Sequence, residues 1–324
     1  MICTMIKEMV TYVVVLVLLF VLELIYFKIA DKYNIVDKPN ERSSHKAVTL
    51  RGGGIVFFFG ALLFFIMSGC CVYPWMMVGL ALISLVSFVD DIHSLPDKYR
   101  LIAQFLAVML MFNDTSFYSL LWLVPIALIV CVGIINAYNF MDGINGITGG
   151  YSLVVLCGLL FVNEKYCSFV DTRLLTTMIA ADLVFCLFNF RKKAKCFAGD
   201  VGSVSMAFVI VFMLSRLMLK TNEVGWLSFL GVYGVDAAFT IIHRIMLHEN
   251  LGQAHRKHMF QLMANELEIP HLTVSLLYML VQGLIIALYL LIPNLLTAVV
   301  CFGILALIYV LFMKKYFKLH YEKN

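Results

Sequence analysis

YSLLWLVPIALIVCVGIINAYNFMDGINGITGGYSLVVLCGLLFVN, residues 118–163, holds two apolar runs, 118–137 and 147–163, separated by a polar island. A helix needs roughly 20 apolar residues to cross the ~30 Å hydrocarbon core of a bilayer, and both runs are near that length. The island, residues 136–150, packs Asn136, Asn139, Asn145, Asp142 and four glycines (Gly143, Gly146, Gly149, Gly150) into one joint. A plain connector between two spans needs only solvated Lys or Ser. Glycines let backbone approach a ligand closely, and amides beside a carboxylate suit oxygen-rich groups or a hard cation.

The rest of the chain repeats the apolar theme. Of its 324 residues, 62% are hydrophobic and only 14% charged, where a soluble domain has about 25% charged. Mean hydropathy is +0.94. This predicts an all-α integral membrane protein with no sizeable soluble domain and no nucleic-acid partner. About eleven apolar runs are expected to form a polytopic bundle: 10–30, 53–70, 72–89, 100–113, 118–137, 147–163, 171–190, 203–219, 224–243, 272–292 and 294–313. The first run lacks a small-residue cleavage site and is expected to be a retained span. The nine cysteines include no C-x-x-C pair, so neither a disulfide framework nor a zinc site is expected.

Charge placement sets the orientation. One set of alternate connections, with the C-terminal tail, carries Lys32, Lys38, Arg42, Lys46, Arg51, Lys98, Arg100, Arg191, Lys192, Lys193, Lys195, Arg244, Arg256, Lys257, Lys314, Lys315, Lys318 and Lys323. The opposite set holds little beyond Lys7, Lys165, Arg173 and Lys220. The bias of about four to one predicts an outside N-terminus and a cytoplasmic C-terminus. Every polar motif then falls on the cytoplasmic side, in loops 31–54, 90–100, 136–150, 189–203 and 243–271. These are read as one site within a single transmembrane domain spanning 1–324. The last loop is expected to include a short amphipathic helix ended by Pro270.

Each motif has a bland reading beside the functional one. Asp90 and Asp91 can mark a solvated helix end, but adjacent like charges repel and sit at the wrong end of the helix dipole. A nearby cation relieves both problems, and Arg100 is a plausible phosphate or carboxylate partner. Asp200 can N-cap the following helix. Its Gly-Asp-x-Gly-Ser turn can equally present one carboxylate to Mg²⁺, which prefers few protein ligands plus phosphate oxygens. His255-Arg256-Lys257-His258 resembles a basic inner-face loop, but positive-inside bias does not explain the histidines. Glu23 and Asp182 lie inside apolar runs and are expected to make interhelical hydrogen bonds.

Taken in order, DKPNERSSH, RGGG, VDD, NAYNFMDGING, FAGDVGS, Asp236 with Arg244, and HRKH resemble the polyprenyl-phosphate N-acetylhexosamine-1-phosphate transferases. The likeness covers nearly the whole chain. It implies transfer of N-acetylhexosamine 1-phosphate, with GlcNAc the expected sugar, from a UDP-sugar to undecaprenyl phosphate, releasing UMP. This is the initiating step of a cell-envelope glycan at the inner membrane. It implies Mg²⁺, with Mn²⁺ as a substitute, and both substrates as partners. It also implies roles: Asp200 and Asn139 for the metal, Asn145 toward uracil, Arg100 on phosphate, and Asp90 and Asp91 as catalytic, Asp91 as the proposed base. His45, Asp142, His255, Arg256 and His258 would complete the substrate site.

The chain departs from the family pattern in three places. Relatives often carry a carboxylate where this chain has Asn145, so no metal role is expected there. Two histidines in HRKH, rather than a run of three, argue against the runner-up, a phospho-N-acetylmuramoyl-pentapeptide transferase. Arg42, His45 and the Arg51-Gly-Gly-Gly54 turn share the ambiguity of the basic loop, and Leu50 in place of a proline weakens a role for Arg51. The rival from another class is a transporter, which tends to show internal repeats and midplane polar sites. Neither feature is visible here. The oligomeric state is open at this level.

Overall fold

The computed structural model describes residues 2–37, 48–115, 117–250 and 255–316. Among these, regular structure is helical apart from one two-stranded ribbon. The α-helices are α1 (Ile2–Lys32), α2 (Ile55–Met67), α3 (Pro74–Ile92), α4 (Asp97–Phe112), α5 (Val124–Phe140), α6 (Ile147–Lys165), α7 (Thr172–Asn189), α8 (Gly199–Thr221), α9 (Gly231–Met246), α10 (Met259–Asn265), α11 (His271–Leu291) and α12 (Leu295–Tyr316). Short 3₁₀ turns, Phe117–Leu123 and Val224–Leu230, lead into α5 and α9.

Every apolar run of the sequence becomes helix. Among the described residues, nine helical segments are long and apolar enough to cross a membrane. The other two runs form α2, of 13 residues, and α4, of 16. At 1.5 Å per residue α2 is only ~20 Å long. It nevertheless runs between the two ends of the bundle. Its first turn follows Gly54 beside Ala198, and its last carbonyls include Met67 O, which accepts Arg173 Nη1 at 3.2 Å. Likewise α4 begins at the end that holds Asp90. It finishes beside Asp114, whose carboxylate accepts Met76 N at 2.7 Å.

The core is built around α8, which is buried along most of its length and packs on α2, α3 and α5. By contrast α1, α5 and α12 expose long apolar faces, as helices bordering lipid do. At the end away from the polar motifs, Arg216 donates through Nε to Phe169 O (2.8 Å), and Asp171 N donates to Tyr73 Oη (3.1 Å).

At the other end, the ribbon of β1 (Val36–Asp37) and β2 (Thr49–Leu50) ties the first polar loop to the segment before α8. Phe197 N donates to Leu50 O (2.8 Å), and Gly53 N donates to Phe197 O (2.9 Å). The turn into α2 then lies against α8 backbone to backbone. A Cβ on Gly202 would stand 2.6 Å from Gly54 Cα, so only glycine allows this approach. The α10 helix is shorter than expected, ends before Pro270, and buries Phe260, Leu262 and Met263 in the bundle rather than lying on a membrane surface.

The two intramembrane carboxylates do not make the expected interhelical bonds. Glu23 accepts from Cys196 Sγ (3.8 Å), in the loop before α8, and Asp182 from Cys186 Sγ (3.9 Å), one turn along its own helix.

Candidate active site

Asp90 and Asp91 occupy the last turn of α3, and Asp200 the first turn of α8. Asp200 is not the N-cap, because the helix already begins at Gly199. The capping group is Asp91. Its Oδ1 accepts Asp200 N and its Oδ2 accepts Val201 N, each at 2.9 Å. A carboxylate at the unfavourable end of α3 thereby lies at the favourable, N-terminal end of α8. Arg51 Nε adds an ion pair to Asp91 Oδ1 at 2.6 Å, and the Asp91 side chain has no solvent exposure.

Asp90 points differently. Its Oδ1 accepts Leu95 N (2.6 Å) and its Oδ2 meets Arg100 Nη1 (3.2 Å). The same Nη1 lies 3.0 Å from Asp200 Oδ2, and Arg100 also pairs with the exposed Asp97. Asp200 Oδ1 faces Arg51 Nη2 at 3.4 Å. Three carboxylates are thus balanced against two guanidiniums, each about a third exposed.

Asn139, on the last turn of α5, donates to Ser203 Oγ (2.9 Å), which donates in turn to Gly199 O (3.0 Å). Asn139 reaches the first turn of α8 through Ser203, and Asp90 shares Arg100 Nη1 with Asp200. Among the described residues no three Asp, Glu, His or Cys side chains form a ready-made cage. Two carboxylates and an amide are still the donor set that suits Mg²⁺, a hard ion that keeps water and phosphate oxygens as its remaining ligands. They fit Zn²⁺, which favours nitrogen and sulfur, poorly.

A polar cavity of about 190 Å³ opens beside this centre, with Arg51, Asp142, Gly143, Phe197 and Asp200 in its wall. Burial pushes the Asp142 carboxyl up to about 6, against the opposing pull of the Thr148 hydroxyl that donates to it at 2.6 Å. Asn145 has its amide nitrogen engaged within the fold. Its Nδ2 donates to the carbonyls of Arg191 (2.9 Å) and Lys192 (3.2 Å), while Asn189 Oδ1 accepts Gly146 N (2.8 Å). Gly146 takes φ +82°, which keeps a side chain out of this turn.

The 255–258 loop forms a second cluster. Asp236, buried on α9, accepts Met259 N (2.9 Å) and Tyr278 Oη (2.6 Å), and lies 3.4 Å from His258 Nδ1. His258 is only 2% exposed, with its ring next to Asp236 and Phe260. Burial, with His258 next to it, pushes the His255 imidazole down to about 3 and keeps it neutral. Arg256 is half-buried with partners of its own. The polar island joins the clusters: Asn139 serves the first, while the Phe140 ring lies tilted 6.5 Å from that of His258 and Gly143 abuts Phe260.

The structure therefore brings Asp90, Asp91, Arg100, Asn139 and Asp200 together, with Asp142 on the adjoining wall. His45 lies outside the described residues. Arg51, which the sequence leaves ambiguous, joins this centre through Asp91 and Asp200, and the three glycines directly after it are the signal of a backbone held close to something.

Residues 73–218, which carry Asp90, Asp91, Arg100, Asn139 and Asp200, match the profile of the family described as glycosyl transferase family 4. The chain is 28% identical over 275 residues to the "probable undecaprenyl-phosphate N-acetylglucosaminyl 1-phosphate transferase" of Bacillus subtilis, covering 78% of this chain and 76% of that protein. It is 30% identical over 209 residues to the "undecaprenyl-phosphate alpha-N-acetylglucosaminyl 1-phosphate transferase" of Yersinia pestis, covering 58% and 56%. A "phospho-N-acetylmuramoyl-pentapeptide-transferase" of Prochlorococcus marinus is 34% identical, over 126 residues and 34% of its length.

Proposed function

We propose, from the match of residues 73–218 to the glycosyl transferase family 4 profile and from the likeness to the Bacillus subtilis protein, that the chain is a transferase of this family and moves N-acetylglucosamine 1-phosphate from the UDP-sugar to undecaprenyl phosphate, releasing UMP. The observation that carries this reading is the carboxylate centre itself. Asp200 sits between Arg51 and Arg100 beside a polar cavity, at one end of an apolar bundle. A lipid-borne phosphate and a soluble nucleotide can both reach such a place. The muramoyl-pentapeptide reading rests on a match to about a third of that relative, against three quarters for the first.

In the reaction, an oxygen of the lipid phosphate attacks the β-phosphorus of the donor. The bond from that phosphorus to the bridging oxygen breaks, and UMP leaves with the electron pair. With a second phosphate pKa near 6, roughly nine-tenths of the lipid phosphate is already dianionic at pH 7, so its attack needs no proton removed. What the reaction needs is charge neutralisation and in-line positioning. Arg100 is placed to hold phosphate oxygens, and Asp90 orients Arg100. Asp200, Asn139 and Asp90 are the residues that would hold Mg²⁺, which when bound neutralises diphosphate charge. The sequestered Asp91 aims Asp200 rather than collecting a proton.

The eleven helical runs are read as eleven crossings, with the N-terminus outside and the C-terminus and site cytoplasmic at the inner membrane. The ends of α2 and α4 at opposite faces support this count. The deciding experiment is release of labelled UMP by purified protein supplied with undecaprenyl phosphate, Mg²⁺ and a panel of UDP-sugars. UMP from UDP-GlcNAc is expected. Turnover confined to the UDP-muramoyl-pentapeptide would move the chain to the other branch.

A further inference from the structure

Arg51 sits immediately before the glycine turn that enters α2, and its backbone is held from both sides. Its N–H donates to Ile35 O (3.1 Å), and its carbonyl accepts Tyr26 Oη (2.6 Å). Gly52, at φ +79°, then turns the chain so that Gly53 and Gly54 lie against the segment before α8. The side chain is therefore aimed by a rigid frame.

The two edges of its guanidinium are used unequally. Nε makes a 2.6 Å ion pair with Asp91, whereas Nη2 stands 3.4 Å from Asp200 Oδ1. A charge-assisted bond of this kind is normally 2.7–2.9 Å. Asp91 is already supplied by two backbone N–H groups, so Arg51 is not needed merely to satisfy it. One edge is anchored and the other is loosely engaged. About a third of the side chain is exposed, and it lines the polar cavity. A planar fork whose second edge is only loosely held is suited to grip two oxygens of a phosphate.

We propose that Arg51 is a phosphate-binding residue of the transfer site, anchored on Asp91 through Nε and presenting its Nη edge to the diphosphate of the sugar nucleotide. This rests on the transferase reading above. It adds a second cation, facing Arg100 across Asp200, so that the entering diphosphate meets a guanidinium on each side.

The test is a binding series with uridine, UMP and UDP, in the presence of Mg²⁺, on the full-length protein in nanodiscs. Arg51→Gln is expected to weaken UDP by about 10- to 100-fold while changing uridine by less than about 3-fold. Arg51→Lys, which keeps the charge but not the fork, should recover part of the loss. A purely structural role for Arg51 would weaken all three ligands alike. That outcome, or unchanged UDP affinity in a folded Arg51→Gln protein, overturns the proposal. If Arg51→Gln does not fold, an Arg51→Lys protein that binds UDP as wild type does overturns it. Wild-type protein that binds none of the three and releases no UMP from any UDP-sugar would instead remove the transferase reading, and this proposal with it.

Discussion

Replacing Asp91 by Asn preserves the side chain's shape and removes its charge, which separates positioning from proton transfer. In the wild type, Oδ1 accepts Asp200 N and Arg51 Nε, and Oδ2 accepts Val201 N. The amide keeps one oxygen for the first two donors and turns its NH₂ toward the Val201 N–H, donor against donor. One hydrogen bond to a charged group is lost, at about 1.5–3 kcal/mol, and the remaining two are weakened by loss of the charge. We expect about 2–4 kcal/mol of positioning to disappear, or roughly 30- to 1,000-fold in kcat/KM if all of it reaches the transition state. The assay is UMP release from pH 6 to 8.5 for both proteins, with thermal melts to verify folding. Because the attacking phosphate supplies its own titration near pH 6, the ratio of variant to wild type should stay constant across that range. A ratio that changes more than about 10-fold, or a loss beyond about 10⁴-fold with nucleotide binding and melting unchanged, would refute the positioning role and restore Asp91 as the base.

Asp200→Ala should abolish UMP release while leaving the bundle folded. Chelation with EDTA should silence the wild type until Mg²⁺ is returned, and activity that survives chelation would remove the metal from the scheme. Gly202→Ala places a Cβ 2.6 Å from Gly54 Cα and 3.0 Å from Ala198 Cβ. Overpacking of this kind costs about 1–3 kcal/mol, so a lower melting temperature and reduced turnover are expected together. Asp142 titrates at about 6 in the folded protein and at about 3.9 when unfolded. Its contribution to stability is therefore complete below pH 4 and is lost as pH rises through 6. Asp142→Asn should gain in melting temperature relative to wild type between pH 5 and 7.5, and a difference that is flat with pH would contradict the raised value.

The apolar runs announced the fold because each is long enough to be legible by itself. What they could not reveal is length after folding: α2 keeps only 13 helical residues because the Arg51 to Gly54 turn and the segment after Met67 are taken by loop contacts. That Arg51, Asp91, Asn139 and Asp200 lie at one end follows from the alternation of runs, which puts their loops on the same side. The division of labour within them does not follow from it. Arg51 meets Asp200 across 149 residues of sequence, and no local pattern encodes that distance. Asn145 reads as a ligand-binding amide in the sequence, and nothing local announces that its Nδ2 also fastens two carbonyls of the 189–203 loop. The histidines of HRKH looked equivalent, yet one is buried against Asp236 and the other is a half-buried, neutral ring.

The Asp-Asp pair explains why the site tolerates so much charge at a membrane face. A carboxylate at the end of α3 opposes that helix's dipole, and a second beside it adds repulsion. The fold separates their tasks by turning them to different partners. Asp91 reaches the N-terminus of α8, where the dipole and two free N–H groups favour a negative charge. Asp90 stays with Arg100, toward the exposed side. Because Asp91 is fully enclosed, its contacts are little screened by salt, whereas Arg51 and Arg100 are a third exposed and are screened in part. The rigid half of the network therefore fixes Asp200, and the softer half consists of the two guanidiniums that can exchange a carboxylate for a phosphate. An arrangement with the buried pair on the arginine side would hold its cations too tightly to give them to a substrate. The observed order, with the carboxylate buried and the arginines at the rim, leaves them available.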